Sequence, residues 1–293
     1  MPDKDNRFRF LLEKANVRGV LVRLDETWKE TLRRAEYPPN VRQVLGHAMA
    51  AMPLLASTIK FEGKMTLQAR GTGPVRLLVV QANANGGQRG LAQWNSEPPE
   101  APLSDIFGDA TLTIQIETGK QGDIYQGVIA AVGEKLQDAL GSYFHNSEQL
   151  PTRLWLQCDG VQAAGLLLQQ LPDDENTVAE TKEDDWHRIT LMANTIDSTE
   201  LYATEVSQLL RKVFSEDEVL LFDAEPLRFE CGCSRERTTA LIEGLGYEEA
   251  IDILKQEGKI EITCEFCNSR NVFDSIDVEA IFRSHGGESE VIH

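Results

Sequence analysis

Four of the chain's five cysteines fall in its last quarter as two short pairs, Cys231 and Cys233 in CGCSRER and Cys264 and Cys267 in CEFC. Thiolates at such spacings bind a borderline-soft cation. Four of them satisfy one tetrahedral zinc, with Zn–S distances of about 2.3 Å and sulfurs about 3.8 Å apart. Once zinc leaves, the sulfurs of a pair need move only a little to reach the disulfide length of about 2.05 Å. Two short pairs flanked by strand signals favour zinc over an iron–sulfur cluster. One Zn2+ per chain is therefore expected, serving either as an inert structural clip or as the guard of thiolates that oxidants attack. Arg235 and Arg237 either add positive charge beside the first pair or form solvated surface and local ion pairs.

The remaining chemistry-bearing residues point elsewhere. Cys158 alternates with Leu154 and Leu156 in TRLWLQC, the pattern of a small buried hydrophobe on a strand. The five histidines, at 47, 145, 187, 285 and 293, show no ligand spacing. The glycines of RGTGPV and ANGGQRG suit turns between strands and match no phosphate-binding fingerprint. With no GxSxG, HExxH or kinase-like set, the chain is not expected to be an enzyme.

Composition sets the background. With 47 acids against 29 bases the formal charge is −18, which repels nucleic acid and anionic membrane surfaces. MPDKDNRFRF lacks the basic start and apolar segment of a secretory signal, and HAMAAMPLLAS is too short to span a bilayer. A cytoplasmic protein is expected, where close cysteines are more often metal ligands or redox groups than structural disulfides.

The elements that must carry the cysteines form an α+β pattern. Met65, Leu67 and Ala69 in KMTLQARG, and Leu112, Ile114 and Ile116 in TLTIQIETG, alternate as half-buried strands do. PVRLLVVQA and DIYQGVIAAV predict two more. A helical stripe joins Val41, Val44, Leu45, Ala48, Met52, Leu55, Ala56 and Ile59, with Pro53 expected to kink it. A second helix is predicted from Glu134 to Phe144. This gives an N-terminal mixed sheet-and-helix domain over residues 1–172.

DDENTVAETKEDD then predicts a solvated connector. After it, Leu191, Ile196, Leu201, Val206, Leu209, Leu210 and Val213 predict one or two amphipathic helices that need an outside surface. They are either docked permanently on the first domain or able to detach. Residues 173–226 thus form a helical linker, and 227–293 a small zinc-binding domain. In that domain TTALIEGLG and YEEAIDILKQEG predict helices closed by glycine, KIEIT and NVFD short strands, and Asp277 the cap of a last helix. A module of about sixty residues gains much of its stability from a structural metal, on the order of 10 to 16 kcal/mol.

The cysteine pattern behind an acidic linker resembles the heat-shock protein 33 family of redox-regulated holdase chaperones. VRGVLVRL, YPPNVRQVLG, LLASTIKFEGKMTLQARGTGPV, YQG, YFHNSEQLPT and AAGLLLQQLP carry the resemblance over nearly the whole chain. It implies a zinc-bound, inactive reduced state with Cys231, Cys233, Cys264 and Cys267 as ligands. It further implies oxidation to Cys231–Cys233 and Cys264–Cys267 disulfides, the downstream pair responding first, with zinc released and the linker unfolded to expose client-binding surface. Active family members dimerise and pass unfolding clients to ATP-dependent chaperones. One departure is Asn268, where glycine is common; asparagine tolerates the left-handed angles a knuckle needs.

Two other functions are compatible with the same residues. One is a constitutive binding module whose zinc ribbon is purely structural. The other is a thiol–disulfide oxidoreductase using CxC, although the pair lacks a thioredoxin-like βαβ context.

Overall fold

The computed structural model describes residues 3–118, 123–129, 134–172 and 179–285. The chain divides into two compact units, Met1–Glu230 and Cys231–His293. Residues 173–178, the start of the acidic stretch, lie outside the described residues, as do the ends of the predicted strands at 119 and 130–132.

The first unit is built on two sheets. One contains β1 (Asn6–Leu12), β2 (Val17–Leu24), β8 (Thr152–Cys158) and β9 (Ala163–Gln170), in the order β1-β2-β9-β8 with antiparallel pairing throughout. The other contains β3 (Lys64–Arg70), β4 (Val75–Asn83), β5 (Gly87–Trp94), β6 (Thr111–Thr118) and β7 (Asp123–Ile129), ordered β5-β4-β3-β6-β7. RGTGPV and ANGGQRG make the β3–β4 and β4–β5 turns, as their glycines predict, and Gly86 takes φ of +80°. Short helices α1 (Glu26–Leu32), α3 (Leu103–Phe107) and α4 (Leu136–Tyr143) flank these strands.

The long helix α2 (Pro39–Ala56) packs on both sheets. Met49, Ala50, Ala51 and Leu54 are therefore buried along with the predicted stripe, and Ile59 lies beyond the helix at 38% exposure. A stripe on one face suits a helix packed on one surface; this one is enclosed by two. Pro53 sits within the last turn, and the helix runs on through it to Ala56. Met65, Leu67, Ala69, Leu112 and Ile114 face this core from the second sheet, as alternation predicts.

β2 and β9 do not alternate because both their faces are covered. Val20, Val22, Ala163 and Leu167 join the α2 core, while Leu21, Ala164, Leu166 and Leu168 join a second core on the far side. Such two-sided burial yields a continuous apolar run in sequence. Phe10 of β1 lies across Gly19 so closely that a Cβ there would sit 2.0 Å from its ring.

That second core is closed by the linker. Its helices are three rather than one or two: α5 (Ala179–Ala193), α6 (Ser198–Ala203) and α7 (Val206–Val213). Asp197 accepts the Glu200 N–H at 2.8 Å and caps α6, and Glu205 accepts from Ser207 and Gln208 to cap α7, which breaks the run twice. The part of the expected connector from residue 179 to 185 is helical. Ile189, Ala193, Leu201, Val206, Leu209, Leu210, Val213 and Phe214 are buried against β1, β2 and β9. Leu191, expected on the apolar face, is 52% exposed; Ile189 and Ala193 take the sheet side. The chain then returns as β10 (Val219–Leu221) and β11 (Glu225–Pro226) beside β1, and β12 (Arg228–Phe229) parallel to β5.

The second unit folds as α8 (Arg235–Leu245), α9 (Tyr247–Glu257), the hairpin β13 (Ile260–Thr263) and β14 (Arg270–Phe273), and α10 (Ser275–His285). Glycines end both helices as expected, Gly258 in the left-handed region. The cap of α10 is Asp274, not Asp277. Its carboxylate accepts the Ile276 and Asp277 N–H groups at 2.9 Å, and Asp277 reaches back to the Asp274 N–H at 3.2 Å. An aspartate three residues inside a helix completes such a box and does not open it. The core of this unit comprises Ile242, Ala250, Ile260, Phe273 and Val278.

Candidate metal centre

The second cysteine pair occupies the β13–β14 turn. Cys264 N–H donates to Ser269 O at 2.9 Å, and Asn268 N–H donates to Cys264 O at 2.7 Å, which folds the turn back on its first residue. Closing it puts Asn268 at φ of +55°. That is the conformation glycine would adopt, and asparagine reaches it at modest cost.

The first pair stands immediately before α8. Ser234 caps that helix by accepting the Arg237 N–H at 3.3 Å, and Arg237 Nη1 donates to Gly232 O at 2.7 Å, pinning the bend between Cys231 and Cys233. Arg235 is engaged in structure: it pairs with Asp277 at 2.9 Å, donates to Val272 O at 3.1 Å and stacks over Phe273 at 4.3 Å. The ion-pairing reading therefore describes Arg235, and Arg237 acts on the cysteine loop through a carbonyl.

The four sulfurs converge within 4.8 Å of one another. Cys231 and Cys264 are 3.6 Å apart, and Cys233 and Cys267 are 3.1 Å apart. A tetrahedral zinc requires about 3.8 Å, so the cage has the right size for one such ion. Burial, together with neighbouring sulfurs, raises the Cys233 thiol well above its ordinary range, and burial raises Cys267. A cation among them reverses that tendency and holds thiolates. Close separations run across the pairs, and all four sulfurs lie within 4.8 Å, so proximity by itself does not select pairing within CxC and CxxC.

Cys158 belongs to β8 of the first unit. Its sulfur packs on Gly46, where a Cβ would come within 2.3 Å, and burial pushes its thiol up to about 11. The expected role as a small hydrophobe fits these surroundings. His145 is exposed. Sequence reasoning missed Arg23, whose guanidinium is buried at 5% exposure under the linker. Its signal was an arginine set inside the apolar run VRGVLVRL, which also holds Arg18. It also missed His47, which lines a cavity of about 190 Å3 with Gln43, Leu103, Lys135 and Leu156.

The family model described as Hsp33 protein matches residues 5–274. The chain belongs to the Hsp33 family. Among Hsp33 relatives, the 33 kDa chaperonin of Nitrosococcus oceani is 43% identical over 282 residues, covering 96% of both chains. That of Pseudomonas aeruginosa strain LESB58 is 40% identical over 298 residues, covering 100% of each. The Hsp33 homologue of Thermotoga maritima shares the fold with a TM-score of 0.80 at 22% identity, over 97% of this chain and 100% of that one. Hsp33 proteins are grouped with chaperones, and no helix among the described residues is long and apolar enough to cross a membrane.

Proposed function

We propose that this chain is a redox-switched, ATP-independent holdase that binds unfolding proteins and prevents their aggregation. The observation that carries the reading is the convergence of Cys231, Cys233, Cys264 and Cys267 within 4.8 Å in a unit whose buried core is so small. In the reduced state these residues would hold one Zn2+, which keeps the thiols ionised and the unit folded. Family membership supports a chaperone, and the relatives named 33 kDa chaperonin support client binding.

Oxidation consumes the ligands. A thiolate attacks the O–O bond of peroxide, giving a sulfenic acid and hydroxide. A neighbouring thiolate then attacks that sulfur, forming the disulfide and expelling a second hydroxide. Two such events, within Cys231–Cys233 and Cys264–Cys267, use two peroxides and leave no thiolate for the metal. The pairing rests on likeness to the family. With no thiolate left among Cys231, Cys233, Cys264 and Cys267, the site would no longer hold zinc, and the unit, then the linker that adjoins it in sequence, would lose order.

The surface released is the far face of the first sheet. Phe8, Phe10, Leu12, Leu21, Leu166 and Leu168 are all buried under α5, α6 and α7. An exposed apolar face of this breadth binds unfolded chains. Dimerisation of the active form, transfer of clients to ATP-dependent chaperones, a cytoplasmic location and the division 1–172, 173–226 and 227–293 belong to the same proposal.

The test treats reduced, zinc-loaded protein with peroxide at elevated temperature. Release of one zinc per chain, two disulfides by peptide mapping, and suppressed light scattering from a heat-unfolded client are expected. Zinc loss with unchanged client aggregation would leave a structural ribbon on a constitutive binding protein, and disulfide-exchange turnover would indicate an oxidoreductase.

A further inference from the structure

We propose that the outer edge of β7 captures an extended apolar segment of an unfolding polypeptide by adding it to the second sheet as a further strand. The inference rests on the reading of the chain as a client-binding chaperone. It concerns a surface that the linker does not cover.

β7 ends the strand order of its sheet, pairing with β6 on one side, and among the described residues no strand pairs with it on the other. The opposite margin of the same sheet is continued by β12 along β5, whereas among the described residues nothing continues it past β7. An open edge presents alternate backbone N–H and C=O groups, and proteins usually protect such an edge with lysine, proline or an inward charge. β7 has none of these after Asp123: residues 124–129 read IYQGVI, uncharged and strongly β-forming.

Three large apolar side chains crowd onto this short strand in the open. Ile124 is 57% exposed, Tyr125 63% and Val128 65%. Ile124 and Val128 share one face, and Tyr125 shares the other with Gly127, which the Tyr143 ring covers. An added strand therefore finds backbone partners along its length and apolar side chains on both faces, the arrangement that peptide-binding sheets use.

The occupant is a peptide segment rather than a second copy. A stable protein dimer needs about 800 Å² from each partner, far more than the margin of a seven-residue strand supplies. An apolar client segment needs no such area, and where lysine or arginine borders it, Asp123 at the strand's start and the chain's formal charge of −18 favour it.

A single added strand binds weakly, so this edge alone does not hold an aggregating client. Joined with the far face of the first sheet after oxidation, it becomes one of two footholds on a single chain, and avidity follows.

The experiment uses the reduced full chain and a fluorescein-labelled decapeptide rich in Val, Ile and Tyr with a lysine at each end, followed by anisotropy. A second peptide carries N-methyl groups on alternate residues of the outward pairing edge. Saturable binding is expected, with amides of residues 123–129 gaining hydrogen-exchange protection. Affinity should fall at least fivefold for the N-methylated peptide and for the double variant Ile124→Lys, Val128→Lys, whose changed side chains are exposed. Equal affinity for both peptides, equal affinity in wild type and variant, absence of binding, or a dimer of the reduced chain dissolved by the variant would each overturn it. Client protection by the oxidised chain separates the two readings. If that protection persists without peptide capture by the edge, only the edge proposal fails; if protection is also absent, the chaperone reading fails with it.

Discussion

Arg23 Nε donates to the Leu201 carbonyl at 2.8 Å, so a buried guanidinium on β2 terminates a linker helix. The same group donates to Thr204 O at 2.5 Å and pairs with Asp3 at 3.4 Å. Asp3 in turn accepts the Val206 N–H at 3.2 Å, at the start of α7. The linker is thus held to the first sheet by apolar contact and by a polar anchor that orders the α6–α7 junction.

Replacing that anchor should loosen the linker without touching a cysteine. Arg23→Met leaves the Leu201 and Thr204 carbonyls without their donor, at a cost of about 1 to 3 kcal/mol per buried group. Faster hydrogen exchange over 184–214 is expected, together with client protection by the reduced chain. Unchanged exchange there would show that apolar packing alone docks the helices.

Removing the downstream sulfurs should separate metal from fold. Cys264→Ser with Cys267→Ser is expected to abolish stoichiometric zinc and unfold the second unit, read from metal content and from the NMR dispersion of residues 235–285. Cys158→Ala should retain full metal content. Parity of the two variants in zinc would remove the four-sulfur cage as the binding site.

The turn at Asn268 offers a graded probe. Asn268→Gly should equal wild type in zinc affinity or exceed it slightly, because φ of +55° suits glycine. Asn268→Val places a β-branched side chain in the left-handed region, at a cost on the order of 1 to 2 kcal/mol, and should weaken zinc about tenfold by chelator competition. Equal affinities across the series would mean the turn relaxes on binding.

Acid should act on the first unit through His47. Burial, with a smaller push from Lys135, lowers its pKa from 6.5 to about 4, so the folded state keeps the imidazole neutral. Below 6.5 the unfolded chain takes up a proton that the folded one refuses. Stability is therefore full above 6.5 and declines as pH falls towards 4, by on the order of 2 to 3 kcal/mol. All four tryptophans lie in the first unit, so fluorescence-detected urea unfolding reports on it alone. His47→Gln should reduce the drop in midpoint between pH 7 and 4.5; an identical drop would remove His47 as the source of the acid sensitivity.

The alternating strands β3 and β6 were legible because each has one face on the α2 core and the other away from it. β2 and β9 were not, since burial on both faces erases alternation. The same cause hid Met49 and Leu54 in α2. In the linker the apolar positions of α7 could be read, while Leu191 was misplaced because its outward direction depends on where Ile189 and Ala193 meet the sheet.

For the candidate site, residue type and spacing alone singled out Cys231, Cys233, Cys264 and Cys267, because thiols at CxC and CxxC intervals are a local chemical signature. What only tertiary structure decided is that a hairpin turn and a helix start, thirty residues apart in sequence, bring those sulfurs within 4.8 Å. It also decided that Arg23 meets linker carbonyls 178 residues away. Local pattern records what a residue can do; a partner so remote is chosen by packing, which leaves no periodic trace in the chain.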